Sequence, residues 1–109
     1  KRVNIRASIL VGGGSGSGIT RSTSVLSVSS TLAAAASTDY VFFANVGIRL
    51  TLQTAVGNTN RYTVKNYAAS SVLVAAAAGQ DIDGSDTVLL DTQYTALDFV
   101  SNGSIWGVI

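Results

Sequence analysis

The chain has 109 residues, seven Lys and Arg against six Asp, a net charge of +1, and no Glu, His, Cys, Met or Pro. That length holds one domain. Without Cys or His it lacks the soft and imidazole ligands of zinc, iron and copper, the commonest acid-base residue and the thiol nucleophile, so no enzyme activity and no cofactor are expected. A charge of +1 spread over isolated positions cannot neutralise a phosphate backbone or hold an anionic membrane surface, so no nucleic-acid partner is expected. Although 47% of the residues are apolar, polar residues interrupt every apolar stretch well short of the roughly 20 a membrane helix needs, so no membrane insertion is expected.

The start, Lys1-Arg2-Val3-Asn4-Ile5-Arg6, does not read as a secretory signal and suggests a piece of a longer chain or a processed product. Residues 3–11, VNIRASILV, alternate loosely and suit a short strand, here assigned as an N-terminal anchoring strand over 1–11. Gly12 to Gly18, GGGSGSG, has few side chains to pack and loses much backbone entropy on ordering, so it reads as a linker. A phosphate-cradling loop would need Lys-Ser/Thr or a helix directly after it, and Ile19-Thr20-Arg21-Ser22-Thr23 supplies neither.

A β domain is expected over 19–109. Ser24 to Leu32 fits one half-buried strand, and Ala33 to Ala36 a short extension or turn, because four alanines alone cannot sustain a helix. Further short strands are predicted at Tyr40 to Ala44, Ile48 to Gln53, Arg61 to Tyr67, Ser71 to Ala75, Thr87 to Leu90, Ala96 to Ser101 and Ser104 to Ile109. Ile48, Leu50 and Leu52 alternate with Arg49, Thr51 and Gln53, which puts aliphatic and polar groups on opposite faces. Asn102-Gly103 between two strand-like runs signals a closing hairpin. No stretch sustains a helical period, so the fold class is all-β: a small antiparallel sandwich or a jelly-roll-like barrel.

From Ile48 onward the residues carry a resemblance. Leu50-Thr51-Leu52-Gln53-Thr54-Ala55, Gly57-Asn58-Thr59-Asn60-Arg61-Tyr62-Thr63-Val64-Lys65-Asn66, Asp81-Ile82-Asp83-Gly84 and Tyr94 to Ile109 resemble the C-terminal β-module of bacteriophage tail fibres and related virion adhesins. Gln53 stands where that pattern usually has Pro. The resemblance implies a virion structural protein that is homotrimeric and assembled in the host cytoplasm. It would be the distal part of a tail fibre contacting a bacterial surface polysaccharide or protein receptor, and would join other virion proteins through its N-terminal segment. A head fibre or capsid decoration protein is the alternative, and a carbohydrate-acting enzyme a more distant one.

Asp81-Ile82-Asp83-Gly84-Ser85-Asp86 places three carboxylates around a glycine, but Thr92 stands where an EF-hand needs Glu, so a solvated turn is expected over a calcium site and no metal ligands are assigned. Asp81, Asp83, Asp86, Asp91 and Asp98 offer carboxylate pairs for glycan cleavage, none marked out by the sequence. The residues expected to serve surface recognition are Tyr62, Tyr67, Arg49, Arg61 and Lys65, with the three cations on the polar faces of two adjacent strands. Trp106, Ile48, Leu50, Leu52, Val100, Ile105 and Val108 are expected in the core or a subunit interface.

Overall fold

A computed structural model describes residues 20–109; the predicted strand at 3–11 and the Gly/Ser linker at 12–18 lie outside the described residues. Nine strands and no helix occur among them: β1 (Thr20–Leu26), β2 (Ser30–Thr31), β3 (Thr38–Ala44), β4 (Arg49–Thr51), β5 (Arg61–Asn66), β6 (Val72–Ala75), β7 (Thr87–Leu90), β8 (Ala96–Ser101) and β9 (Trp106–Val108). They form two sheets of order β1-β3-β5-β8-β9 and β2-β4-β6-β7. The all-β expectation holds.

The antiparallel expectation is corrected. The chain passes alternately through the first and second sheet, and each return lands one strand further along and parallel to the previous pass: β1 beside β3 beside β5, β2 beside β4 beside β6. Three turns are wound in this way. The fourth reverses, with β7 laid antiparallel on β6 and β8 antiparallel on β5, before β9 turns back on β8. A period of two residues states which face a side chain occupies but not which strand lies alongside.

The expected single strand over Ser24 to Leu32 is also corrected, because Ser27 to Ser29 is a corner between β1 and β2. Its hydroxyls hold the next turn of chain: Ser27 Oγ bonds Asn45 Oδ1, and Ser29 Oγ accepts from the Arg49 amide at 2.9 Å. One turn further on, the corner at Gly47 lies against that at Ser70, so closely that a Cβ on Gly47 would sit 2.9 Å from Ser70 Cβ and 3.0 Å from the Ser71 carbonyl.

Parallel, in-register pairing puts like residues over one another about one strand spacing apart. Tyr40 therefore stacks on Tyr62 with ring centroids 5.2 Å apart and planes 7° apart. Inward residues of both sheets share one core: Tyr40, Phe42, Tyr62, Val64 and Phe99 from the first, Leu50, Val72, Val74 and Leu90 from the second. Trp106, 1% exposed, meets Tyr62 edge to face at 5.4 Å, and its indole N–H donates to the Gln53 carbonyl at 3.1 Å. A ring of this kind removes roughly 150–250 Å² from water, on the order of 4–6 kcal/mol as an upper bound.

Asn66, buried at the exit of β5, is satisfied on every side. Its amide donates to the carbonyls of Ser70 and Leu90, both at 2.9 Å, and its oxygen accepts from the Ala68 amide at 2.7 Å. The reversed end is closed by Asp81 to Asp83, which pairs with β9: the Trp106 amide donates to the Asp81 carbonyl and the Asp83 amide to the Trp106 carbonyl.

Candidate functional site

The register fixes which side chains share the outer face of the first sheet. Val25 of β1 lies beside Phe43 of β3, Phe43 beside Lys65 of β5, and Lys65 beside Ala96 of β8. Tyr67 follows directly after β5, and its ring meets Phe43 edge to face at 5.1 Å and Tyr94 at 5.6 Å. The Lys65 ammonium stands 5.7 Å from the Tyr67 ring centroid, within the range of a cation–π contact. Tyr67 is 46% and Tyr94 62% exposed, so this cluster presents ring faces and a cation to solvent.

The backbone holds those rings in place. The Tyr94 amide donates to the Asn66 carbonyl, the Asn66 amide to the Thr95 carbonyl at 2.9 Å, and Gln93 Nε2 to the Tyr67 carbonyl at 3.0 Å. Tyr94 adopts φ 71°, a left-handed conformation that costs a side chain of this size about 1–3 kcal/mol. Burial does not repay that strain, because the ring is mostly in water.

Of the five residues expected at a recognition surface, Lys65 and Tyr67 come together here. Tyr62 is corrected: it is 0% exposed, and its hydroxyl donates to the Ala33 carbonyl at 2.6 Å. The alternation that put Val64 inward carries Tyr62 with it, and the polar tip is satisfied inside. Arg61 is committed to an ion pair, its Nη2 2.7 Å from Asp98 Oδ2, while Thr63 Oγ1 donates to Asp98 Oδ1 at 2.6 Å. With side chains 22% and 3% exposed, the pair is shielded from water and unlike a surface pair. Arg49 is exposed but belongs to β4 in the other sheet, so the three cations do not share one face.

Phe43 and Tyr94 complete the cluster and were not among the expected recognition residues. Tyr94 had a signal, a large ring in the polar run Asp91-Thr92-Gln93; Phe43 had little, since Phe42-Phe43 leaves the inward member ambiguous.

Among the expected core residues, Trp106, Ile48, Leu50 and Leu52 are buried in the common core and Val108 packs against it. Val100 and Ile105 are half-buried, and Val100 faces outward opposite Arg61 because Phe99 takes the inward position. In the Asp81–Asp86 run, Asp83 and Gly84 both have positive φ, 51° and 87°, which makes a tight turn between the bridged Ile82 and Ser85. Asp83 Oδ2 is taken up by the Val108 amide at 3.2 Å, and no group of three or more acidic side chains converges as a metal site among the described residues. A depression of about 210 Å³ lined by Ala34, Gln53, Thr54, Val56, Asn58 and Asn60 falls below the roughly 300–1,000 Å³ of small-molecule sites.

Comparison with protein-family models, with curated proteins and with solved structures finds no match to this chain.

Proposed function

We propose that this chain is a non-enzymatic structural component of a phage virion, the distal part of a tail fibre that touches the bacterial surface. In this reading its two sheets act as a sandwich assembled as a homotrimer. The observation that carries it is the outward cluster of Phe43, Lys65, Tyr67 and Tyr94, clamped to a rigid β framework with one residue held in a strained conformation. Exposed rings with a cation suit contact with a surface receptor, and backbone strain retained away from the core is a mark of functional positions. The long sequence resemblance from Ile48 to Ile109 supplies the virion context.

The test is adsorption. Free chain added in excess should slow attachment of the phage that carries it, and the Tyr67→Ala/Tyr94→Ala variant should lose that effect while keeping its circular dichroism spectrum. Free chain that never competes, although it is present on capsids lacking tails, would replace this reading with that of a head fibre or decoration protein. Sedimentation of the chain at micromolar concentration reads the assembly state directly; a monomer ends the trimer proposal.

A further inference from the structure

The outer edge of β9 carries a short segment of the chain's own backbone. In the antiparallel pair of β8 and β9, alternate residues of β9 direct both backbone groups to the same side. Ile109 donates its amide to the Asp98 carbonyl, on the β8 side, so Val108 and Trp106 face the outer edge. The groups they present there are taken up. The Trp106 amide donates to the Asp81 carbonyl at 3.0 Å, the Trp106 carbonyl accepts from the Asp83 amide at 3.1 Å, and the Val108 amide donates to Asp83 Oδ2 at 3.2 Å.

The covering segment spends its own outward groups as well. Asp81 and Asp83 address β9, and Ile82 between them faces the other way. Its amide donates to the Ser85 carbonyl at 2.7 Å, and its carbonyl accepts from the Ser85 amide at 3.0 Å. A strand arriving from outside finds both groups of Ile82 already used. Positive φ values of 51° at Asp83 and 87° at Gly84 turn the chain back directly after the contact. The Ile82 side chain, 0% exposed, anchors the segment in the common core. Asp83 serves both the turn and the contact: Asp enters the left-handed region more readily than most side chains, and its carboxylate sets a negative charge where a further strand would bring a carbonyl.

We infer that Asp81 to Gly84 is a built-in stop on the β9 edge, which holds off strand addition by a second copy of this chain. An edge recruits a further strand through N–H and C=O groups left unpaired. Here the backbone of Asp81 and Asp83 occupies Trp106, and the Asp83 carboxylate occupies the amide of Val108. The inference gives the acidic run a task within the fold, and it depends neither on the virion reading nor on the assembly state proposed with it.

Two substitutions of equal charge test it. Asp83→Gly removes the carboxylate and suits the left-handed backbone, whereas Asp86→Ala removes the same charge from an exposed position of the same run. In sedimentation over a concentration series, Asp83→Gly should form species larger than those of the unaltered chain at roughly tenfold lower concentration, the scale of one charge-assisted hydrogen bond released. Asp86→Ala should not. Val108→Pro added to Asp83→Gly deletes the released donor and should return the profile to that of the unaltered chain. No added association in Asp83→Gly overturns the proposal, as does equal association in Asp86→Ala, which would make charge alone the cause. Association that survives Val108→Pro also overturns it, because growth would then run through another surface. Hydrogen exchange of the unaltered chain tests the stop without any variant having to fold: the amides of Trp106 and Val108 should be protected at every concentration. Fast exchange at either amide, or protection lost on dilution, overturns the proposal.

Discussion

Tyr62→Phe separates a buried anchor from a recognition residue with the smallest change of shape. The substitution leaves the ring stacked on Tyr40 and against Trp106, and deletes one oxygen. That oxygen donates to the Ala33 carbonyl at 2.6 Å and receives longer contacts from Asn58 Nδ2 at 3.4 Å and Asn60 Nδ2 at 3.5 Å. Losing a buried donor costs about 1 to 2 kcal/mol, set by the carbonyl left without a partner. For a domain of this size that lowers the melting temperature by about 4 to 10 °C. Tyr62→Ala removes the ring too and costs about 3 to 5 kcal/mol, a large fraction of a total stability of about 5 to 15 kcal/mol. Urea unfolding with an unchanged slope gives both values. An unaltered midpoint for Tyr62→Phe would refute the placement of this hydroxyl, and a Tyr62→Phe loss equalled by Tyr67→Phe would refute the distinction between the two rings.

Three further changes probe other contacts. Gly47→Ala drives a Cβ into Ser70 Cβ and the Ser71 carbonyl and should destabilise by about 1 to 3 kcal/mol; Ser70→Gly in the same chain should recover part of that in the same urea titration. Arg61→Ala removes the ion-pair partner of the buried Asp98 carboxylate and should cost about 2 to 4 kcal/mol, a loss that added salt barely changes, measured by thermal unfolding at low and high ionic strength. Tyr94→Gly relieves a left-handed tyrosine and should leave stability equal or higher by about 1 kcal/mol, while competition for phage adsorption weakens.

Much of the strand placement could be read from the residues. Arg61-Tyr62-Thr63-Val64-Lys65 alternates as β5 does, and Asp83-Gly84 turns where two positive φ values are needed. The neighbours could not be read so easily. Tyr40-Val41-Phe42-Phe43-Ala44 and Tyr62-Thr63-Val64-Lys65-Asn66 are successive turns of one winding, as are Arg49-Leu50-Thr51 and Leu73-Val74-Ala75. That self-similarity is faint because only inward positions repeat: Tyr over Tyr, Phe42 over Val64, Leu50 over Val74. A search for a repeat in the low twenties of residues, limited to alternate positions, is the signal that would have pointed to parallel pairing. The site was half legible for a related reason. Tyr62 is expected outside as an amphipathic ring alongside Tyr67, although its parity with Val64 puts it inside. Tyr94 takes its place in the cluster through a contact between loops distant in sequence, which no local pattern encodes.

The two ends of the winding differ in chemistry as well as in pairing. Phe99 and Trp106 seal the reversed end with large rings, whereas inward positions of β1 carry Ser22 and Ser24. Ser24 stands beside the buried Phe42 and is itself half-buried, so a side chain there lies partly out of water. Ser24→Val replaces its hydroxyl with apolar surface and should stabilise the chain by up to about 0.8 kcal/mol. Val25, 64% exposed on the opposite face of β1, is the control, and Val25→Ser should change stability by less. Urea unfolding reads both changes. A Ser24→Val variant no more stable than the parent would mean that this row meets water and not the core.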